Sequence, residues 1–130
     1  MKGLQGKTVI VTGAATIIGA AVAREFHARG ARAVIADIDD AGGEALAGEL
    51  GEGALFVKTD ITDDGQIEHC VRRAVDMFGG VDFLVNLACS YVDNGIEATR
   101  DDWLGSYNVN VVGAVMMMKA CRSEMIKRGG

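Results

Sequence analysis

Two glycines bracket a segment whose residue types suit phosphate chemistry: Gly13-Ala14-Ala15-Thr16-Ile17-Ile18-Gly19. It leaves a β-branched apolar run and opens an amphipathic stretch. A helix starting there exposes unpaired N–H groups and the positive end of its dipole, both suited to a pyrophosphate. Gly13 permits a sharp turn out of the strand, and Gly19 lets the helix pack closely on the sheet. Asp37 ends the next apolar run, in the place where a carboxylate accepts hydrogen bonds from a ribose diol. Two glycines alone are a weak signal, and an acid at a strand end is more often a solvated loop residue. Their order in a strand-helix-strand context is what points to a dinucleotide. No Lys or Arg lies between Gly13 and Gly19 or just after Asp37. A 2′-phosphate would therefore meet negative charge, and NAD is expected rather than NADP.

Other chemistries are poorly supported. The Gly-Lys-Ser/Thr of a P-loop is missing. Cys70, Cys89 and Cys121 form no CxxC pair, and His27 and His69 are the only histidines, so no zinc site is expected. Reduced, mostly buried thiols are the simpler reading. A net charge of −5 and the lack of a basic run argue against nucleic acid as a partner. No signal peptide is expected from the N-terminus, and "VVGAVMMM" (111–118) is far too short to span a bilayer. A soluble, cytoplasmic protein with no membrane partner is the expectation.

These residues need a scaffold that holds strand ends beside helix starts. The 130 residues suit one domain, and 49% apolar content with 18 glycines and no proline suits regular alternation of strands and helices. Strands are predicted at 8–12, 33–37, 54–60 and 82–86. Helices follow at about 18–29, with Ile18, Val22 and Phe26 on one face, and at 40–50. A third follows Asp63, which with Gln66 forms a capping pair, and carries the stripe Ile67, Val71, Ala74, Val75 and Phe78. The last opens at a Thr99–Asp102 cap and runs to about Lys127. The order β-α-β-α-β-α-β-α implies a three-layer α/β fold with a doubly wound, Rossmann-like parallel sheet. The closing "MIKRGG" reads as a helix end before a fifth strand, and the sheet is expected to be cut short there.

In this arrangement the sequence resembles the short-chain dehydrogenase/reductase family over its whole length. The family's Thr-Gly-x-x-x-Gly-x-Gly reads Thr12-Gly13-Ala14-Ala15-Thr16-Ile17-Ile18-Gly19, and its acid after strand two matches Asp37. Its Asp-Val-Thr after strand three reads Asp60-Ile61-Thr62, and its Asn-Asn-Ala-Gly after strand four reads Asn86-Leu87-Ala88-Cys89. An asparagine of the next helix matches Asn110 in "NVNVVG" (108–113). The resemblance implies hydride transfer between nicotinamide and an alcohol or carbonyl substrate. It makes Gly13, Thr16, Ile18, Gly19, Asp37, Ile38, Asp60, Ile61, Asn86, Ala88 and Cys89 the cofactor-binding set and Asn110 a catalytic residue. It also implies a homo-dimer or homo-tetramer.

Asn110 shares a predicted helix face with Trp103, Tyr107, Val111, Ala114, Met118, Cys121 and Met125. A buried amide there must find hydrogen bonds, whatever its catalytic part. The family's serine and Tyr-x-x-x-Lys are not found: Tyr91 and Tyr107 have no lysine four residues on. The expected role is thus the cofactor-binding portion of an NAD-dependent oxidoreductase, inactive by itself. Ile17, Leu87 and Cys89 replace family residues near the cofactor. Ile17 is expected to crowd the nucleotide, and Cys89 to displace the adenosine or loosen its binding; the simpler reading of Cys89 is a small buried hydrophobe. The alternatives are a non-catalytic binding module and an S-adenosylmethionine enzyme, which uses a similar turn and acid.

Overall fold

A computed structural model describes residues 3–92 and 94–129. Four parallel strands form one sheet: β1 (Thr8–Thr12), β2 (Arg32–Asp37), β3 (Ala54–Lys58) and β4 (Phe83–Asn86), in the order β3-β2-β1-β4. The helices between them are α1 (Ile17–Ala28), α2 (Asp40–Leu50) and α3 (Asp64–Phe78). After β4 come a short 3₁₀ turn (Gly95–Glu97), α4 (Arg100–Tyr107), a π-helical stretch (Asn108–Gly113) and α5 (Ala114–Lys127). The doubly wound Rossmann-like reading holds, with strand ends within two residues of those expected.

Every residue of β1 is buried, as continuous β-branched runs are when helices cover both sheet faces. Val9, Val11, Ala33 and Ile35 face α1 and α2, where Ala23 and Leu46 complete one core. Ile10 and Val34 face the other layer, with Ile67, Cys70 and Ala74 of α3 and Met117 and Cys121 of α5. The chain steps outward from β1 to β3, then crosses the sheet to lay β4 on the other side of β1. That reversal opens a crevice at the C-terminal ends of β1 and β4.

Local chemistry sets the helix starts. Thr16, Asp39 and Asp63 each accept a backbone N–H of the first turn, and Thr99 with Asp102 forms a reciprocal capping box. The expected Asp63–Gln66 pair forms: Asp63 Oδ1 accepts the Gln66 N–H at 3.0 Å and Oδ2 the Gln66 side-chain amide at 3.4 Å. The Gln66 side-chain carbonyl oxygen in addition accepts the Asp60 N–H at 2.9 Å and braces the loop after β3. In α1 the buried residues are Gly19 and Ala23, and Ile18 turns outward.

The face assigned to the last helix needs correction. The buried positions are Ser106, Gly113, Met117 and Cys121, whereas Trp103, Tyr107, Val111 and Met118 are exposed. The reason is close approach: a Cβ on Gly113 would stand 2.7 Å from the Ile61 carbonyl oxygen. Gly113 therefore faces inward, in line with Ser106, Met117 and Cys121, while several of the bulky apolar residues that dominate the pattern face out. Of the three successive methionines, only Met117 is fully buried.

One polar cluster ties the ends of the fold together. Asp82 accepts the Thr8 N–H at 2.9 Å, Lys7 Nζ at 3.1 Å and Arg128 Nη2 at 3.1 Å, and its side chain is 4% exposed. Burial alone would raise its pKa, but the bonds from Arg128, Thr8 and Lys7 together hold it below the usual carboxylate range. A depressed folded pKa means this contribution is complete above an ordinary carboxylate pKa of about 4 and fades as pH falls through the folded value. Asp82→Asn is expected to cost about 2 kcal/mol at neutral pH in urea unfolding. It should also flatten the acid limb of the stability profile; an unchanged acid limb would assign that limb to other groups.

Candidate functional site

Gly13 turns the chain at φ +65°, and its missing Cβ lets β1's loop lie against the loop after β4. A Cβ there would stand 2.7 Å from Ala88 N and 2.8 Å from Ala88 Cα. Thr12 fastens the same contact, its hydroxyl oxygen accepting the Leu87 and Ala88 N–H groups at 3.1 and 3.2 Å. The Thr16 hydroxyl donates to the Gly13 carbonyl at 2.7 Å and accepts the Gly19 N–H at 3.1 Å. A Cβ on Gly19 would collide with that carbonyl and lie 2.7 Å from Ala14 Cα. Helix α1 thus sits directly on the loop. With Gly19 N–H on Thr16 Oγ1 and Ala20 N–H on the Thr16 carbonyl, the Ile17 and Ile18 N–H groups remain for an anion.

The acids and amides along the crevice are held by backbone. Asp37 Oδ2 accepts the Ala15 N–H at 2.8 Å and Oδ1 the Asp39 N–H at 3.0 Å. Asp60 Oδ1 accepts the Thr62 N–H and hydroxyl at 2.9 and 2.7 Å, closing an Asx turn. Asn86 Nδ2 donates to the Ala114 carbonyl at 3.3 Å, and its Oδ1 is buried with no partner among the described residues. Asn110, expected on a buried face, is exposed. Its amide is nonetheless satisfied: Oδ1 accepts the Ser90 N–H at 2.7 Å and Nδ2 donates to the Ser90 carbonyl at 2.9 Å. It therefore pins the loop after β4 to the π-helical stretch.

Two grooves run along this surface. The first, about 390 Å³, brings together Gly13, Thr16, Asp37, Ile38, Asp60, Ile61, Ala88 and Cys89. The second, about 880 Å³, brings together Thr16, Ile18, Asn86, Ala88, Cys89 and Asn110, with Ile17 and Tyr91. Thr16, Ala88 and Cys89 line both, so the grooves form one cleft with a waist. Gly19 lines neither and lies beneath the loop as packing. Thr12, Ala15 and Ser90 were not marked as site residues by the sequence. Thr12 carried a readable signal, a hydroxyl beside the turning glycine, whereas Ala15 and Ser90 act through backbone groups that residue type does not reveal.

Cys89 is exposed rather than buried. Its hydrogen bond and neighbouring charge push the exposed Tyr91 phenol above its ordinary pKa, away from the ionisation a general base would need. Burial raises the Cys70 thiol to about 11 and Cys121 to about 12, which keeps both unreactive. No helix among the described residues is long and apolar enough to cross a membrane, and no group of three or more His, Cys, Asp or Glu among them could hold a metal ion.

Known proteins resemble this chain along nearly its whole length. The family model described as short chain dehydrogenase matches residues 7–130. An uncharacterized oxidoreductase of Thermotoga maritima is 40% identical over 131 residues, covering 98% of this chain and 51% of that protein. Sorbitol dehydrogenase of Cereibacter sphaeroides is 38% identical over 127 residues, covering 97% and 50%. The crystal structure of 3-ketoacyl-(acyl-carrier-protein) reductase from Brucella melitensis complexed with NADH superposes with a TM-score of 0.91 at 33% identity, covering 98% of this chain and 53% of that one. The chain thus spans about half the length of the relatives it matches.

The contact at Gly13 sets an expectation for stability. Gly13→Ala should cost about 1–3 kcal/mol through its left-handed backbone, with the clash against Ala88 adding to it. Gly48→Ala, within α2 and facing open space, should instead stabilise by about 0.5–1 kcal/mol. Denaturant midpoints of the two variants moving in the same direction would contradict this account.

Proposed function

The chain belongs to the short-chain dehydrogenase family, and from that membership we propose that it forms the cofactor-binding portion of an NAD-dependent oxidoreductase acting on an alcohol or carbonyl substrate. The observation that carries this reading is the cleft itself: two grooves joined at Thr16, Ala88 and Cys89, with the α1 N-terminus at the join. An adenosine half would lie by Asp37, Ile38, Asp60 and Ile61, and a pyrophosphate on the Ile17 and Ile18 N–H groups. The nicotinamide half would lie by Asn86 and Asn110. The residues present fit such a ligand, since the close packing at Gly13 and Gly19 keeps the loop flush with the sheet. A bound nicotinamide dinucleotide supplies the hydride-transfer chemistry.

Asn110 is proposed as the family's catalytic asparagine, acting here by holding Ser90 in place at the nicotinamide end. Preference for NAD over NADP is supported by Asp37 at the end of β2. Lys58 pairs in register with Asp37, but its cation is held by Asp40. The family's serine and Tyr-x-x-x-Lys are not among these 130 residues, which supports a chain without turnover of its own. The exposed side chains of Trp103, Leu104, Tyr107, Val111 and Val115 support a homo-oligomeric contact through the outer face of α4 and α5. Three free thiols suit a reducing, cytoplasmic setting. A second reading, a non-catalytic binding module, is favoured by Ile17. It is 92% exposed and lines the second groove where a pyrophosphate would pass.

Titration calorimetry tests these readings. NADH is expected to bind more tightly than NADPH, and Ile17→Gly to tighten NADH by about tenfold, equivalent to about 1.4 kcal/mol. The purified 130-residue chain should show no alcohol oxidation. Stronger binding of S-adenosylmethionine than of either dinucleotide would overturn the proposal, and robust turnover would overturn the assignment of this chain as a binding portion.

A further inference from the structure

The Asp37 carboxylate, expected from sequence to accept hydrogen bonds from a ribose diol, is also a fastened group. It is 8% exposed and each oxygen accepts a backbone N–H, from Ala15 and from Asp39. Ala15 lies in the loop that opens α1. Asp39 caps α2, its own carboxylate accepting the Gly42 N–H at 3.1 Å. Gly42 closes the ring, for a Cβ on it would stand 3.1 Å from the Ala15 Cβ. One side chain thus couples the starts of two helices, and its negative charge sits between their positive ends. Its oxygens keep lone pairs for a ribose. Removing it would take away the loop's brace as well and leave the half-buried Ala15 N–H without an acceptor.

We propose that Asp37 is a positioning residue for the phosphate-binding turn, fixing Ala15 and through it the Ile17 and Ile18 N–H groups. This rests on the dinucleotide reading of the cleft. Its consequence separates it from ribose recognition: loss of Asp37 weakens every ligand that sets a phosphate on α1, with or without a 2′-phosphate. A small residue at this position therefore does not convert the site to strong NADPH binding.

The test uses the whole ¹⁵N-labelled chain, the variants Asp37→Ser and Asp37→Asn, and three probes: NADH, NADPH and inorganic pyrophosphate. In Asp37→Ser, amide exchange at Ala15 is expected to rise at least tenfold. The pyrophosphate-induced shifts at the Ile17 and Ile18 amides should shrink, and affinity for both dinucleotides should fall about tenfold. Asp37→Asn keeps one acceptor oxygen and should lie between. Unchanged Ala15 exchange with unchanged pyrophosphate shifts overturns the proposal, as does NADPH binding that strengthens while NADH weakens. If the unsubstituted chain binds none of the probes, the dinucleotide reading fails. Ala15 exchange then still decides the brace, raised exchange upholding it and unchanged exchange refuting it. Should Asp37→Ser not fold, the same comparison is made between Asp37→Asn and the unsubstituted chain.

Discussion

Everything in the cleft depends on how near the loop after β1 comes to the loop after β4. That distance is set where the Gly13 backbone meets Ala88 with no side chain between them, and where the Thr12 hydroxyl takes two N–H groups from the opposite loop. Were the loops further apart, the two grooves would not share a waist. Were α1 lifted by a side chain at Gly19, its N-terminus would no longer face the join. The site is thus a matter of backbone proximity first and of side-chain chemistry second.

The sheet order makes that proximity possible. Parallel strands joined by crossover helices put α1 and α2 on one face and α3 and α5 on the other. The reversal at β1 brings two strand ends together with no crossover helix between them. Around the opening, carboxylates act mainly on backbone. Asp37 braces one loop, Asp60 closes a turn, and Asp82 at the opposite end of β4 gathers Lys7, Thr8 and Arg128. In a chain of net charge −5, these acids are structural fasteners as much as solvated charge.

Much of this was legible in the chain. Continuous runs such as Thr8–Thr12 and caps such as Thr99 with Asp102 signal their elements through local stereochemistry, and the glycine segment marks its turn. What escaped depends on distant neighbours. Asp82 looks like any acid before a strand until the fold brings Arg128 to it. The inward face of the last helix does not follow from side-chain bulk, because the Ile61 backbone leaves no room for a Cβ at Gly113, and only the fold brings that backbone there. Asn110 was rightly expected to need partners, but they come from the Ser90 backbone at the surface rather than from a buried core.

The pairing of β1 with β4 also bears on chain entropy. β1 meets β2 across one short helix, whereas Thr12 and Leu87 are 75 residues apart in the chain when they bond. Closing so long a loop costs more entropy than closing the β1-β2 unit, so this pairing leans more heavily on the contacts that hold it. The cleft lies on that seam. Its surface therefore depends on contact between strands far apart in the chain, whereas β1, β2 and β3 pair in sequence order.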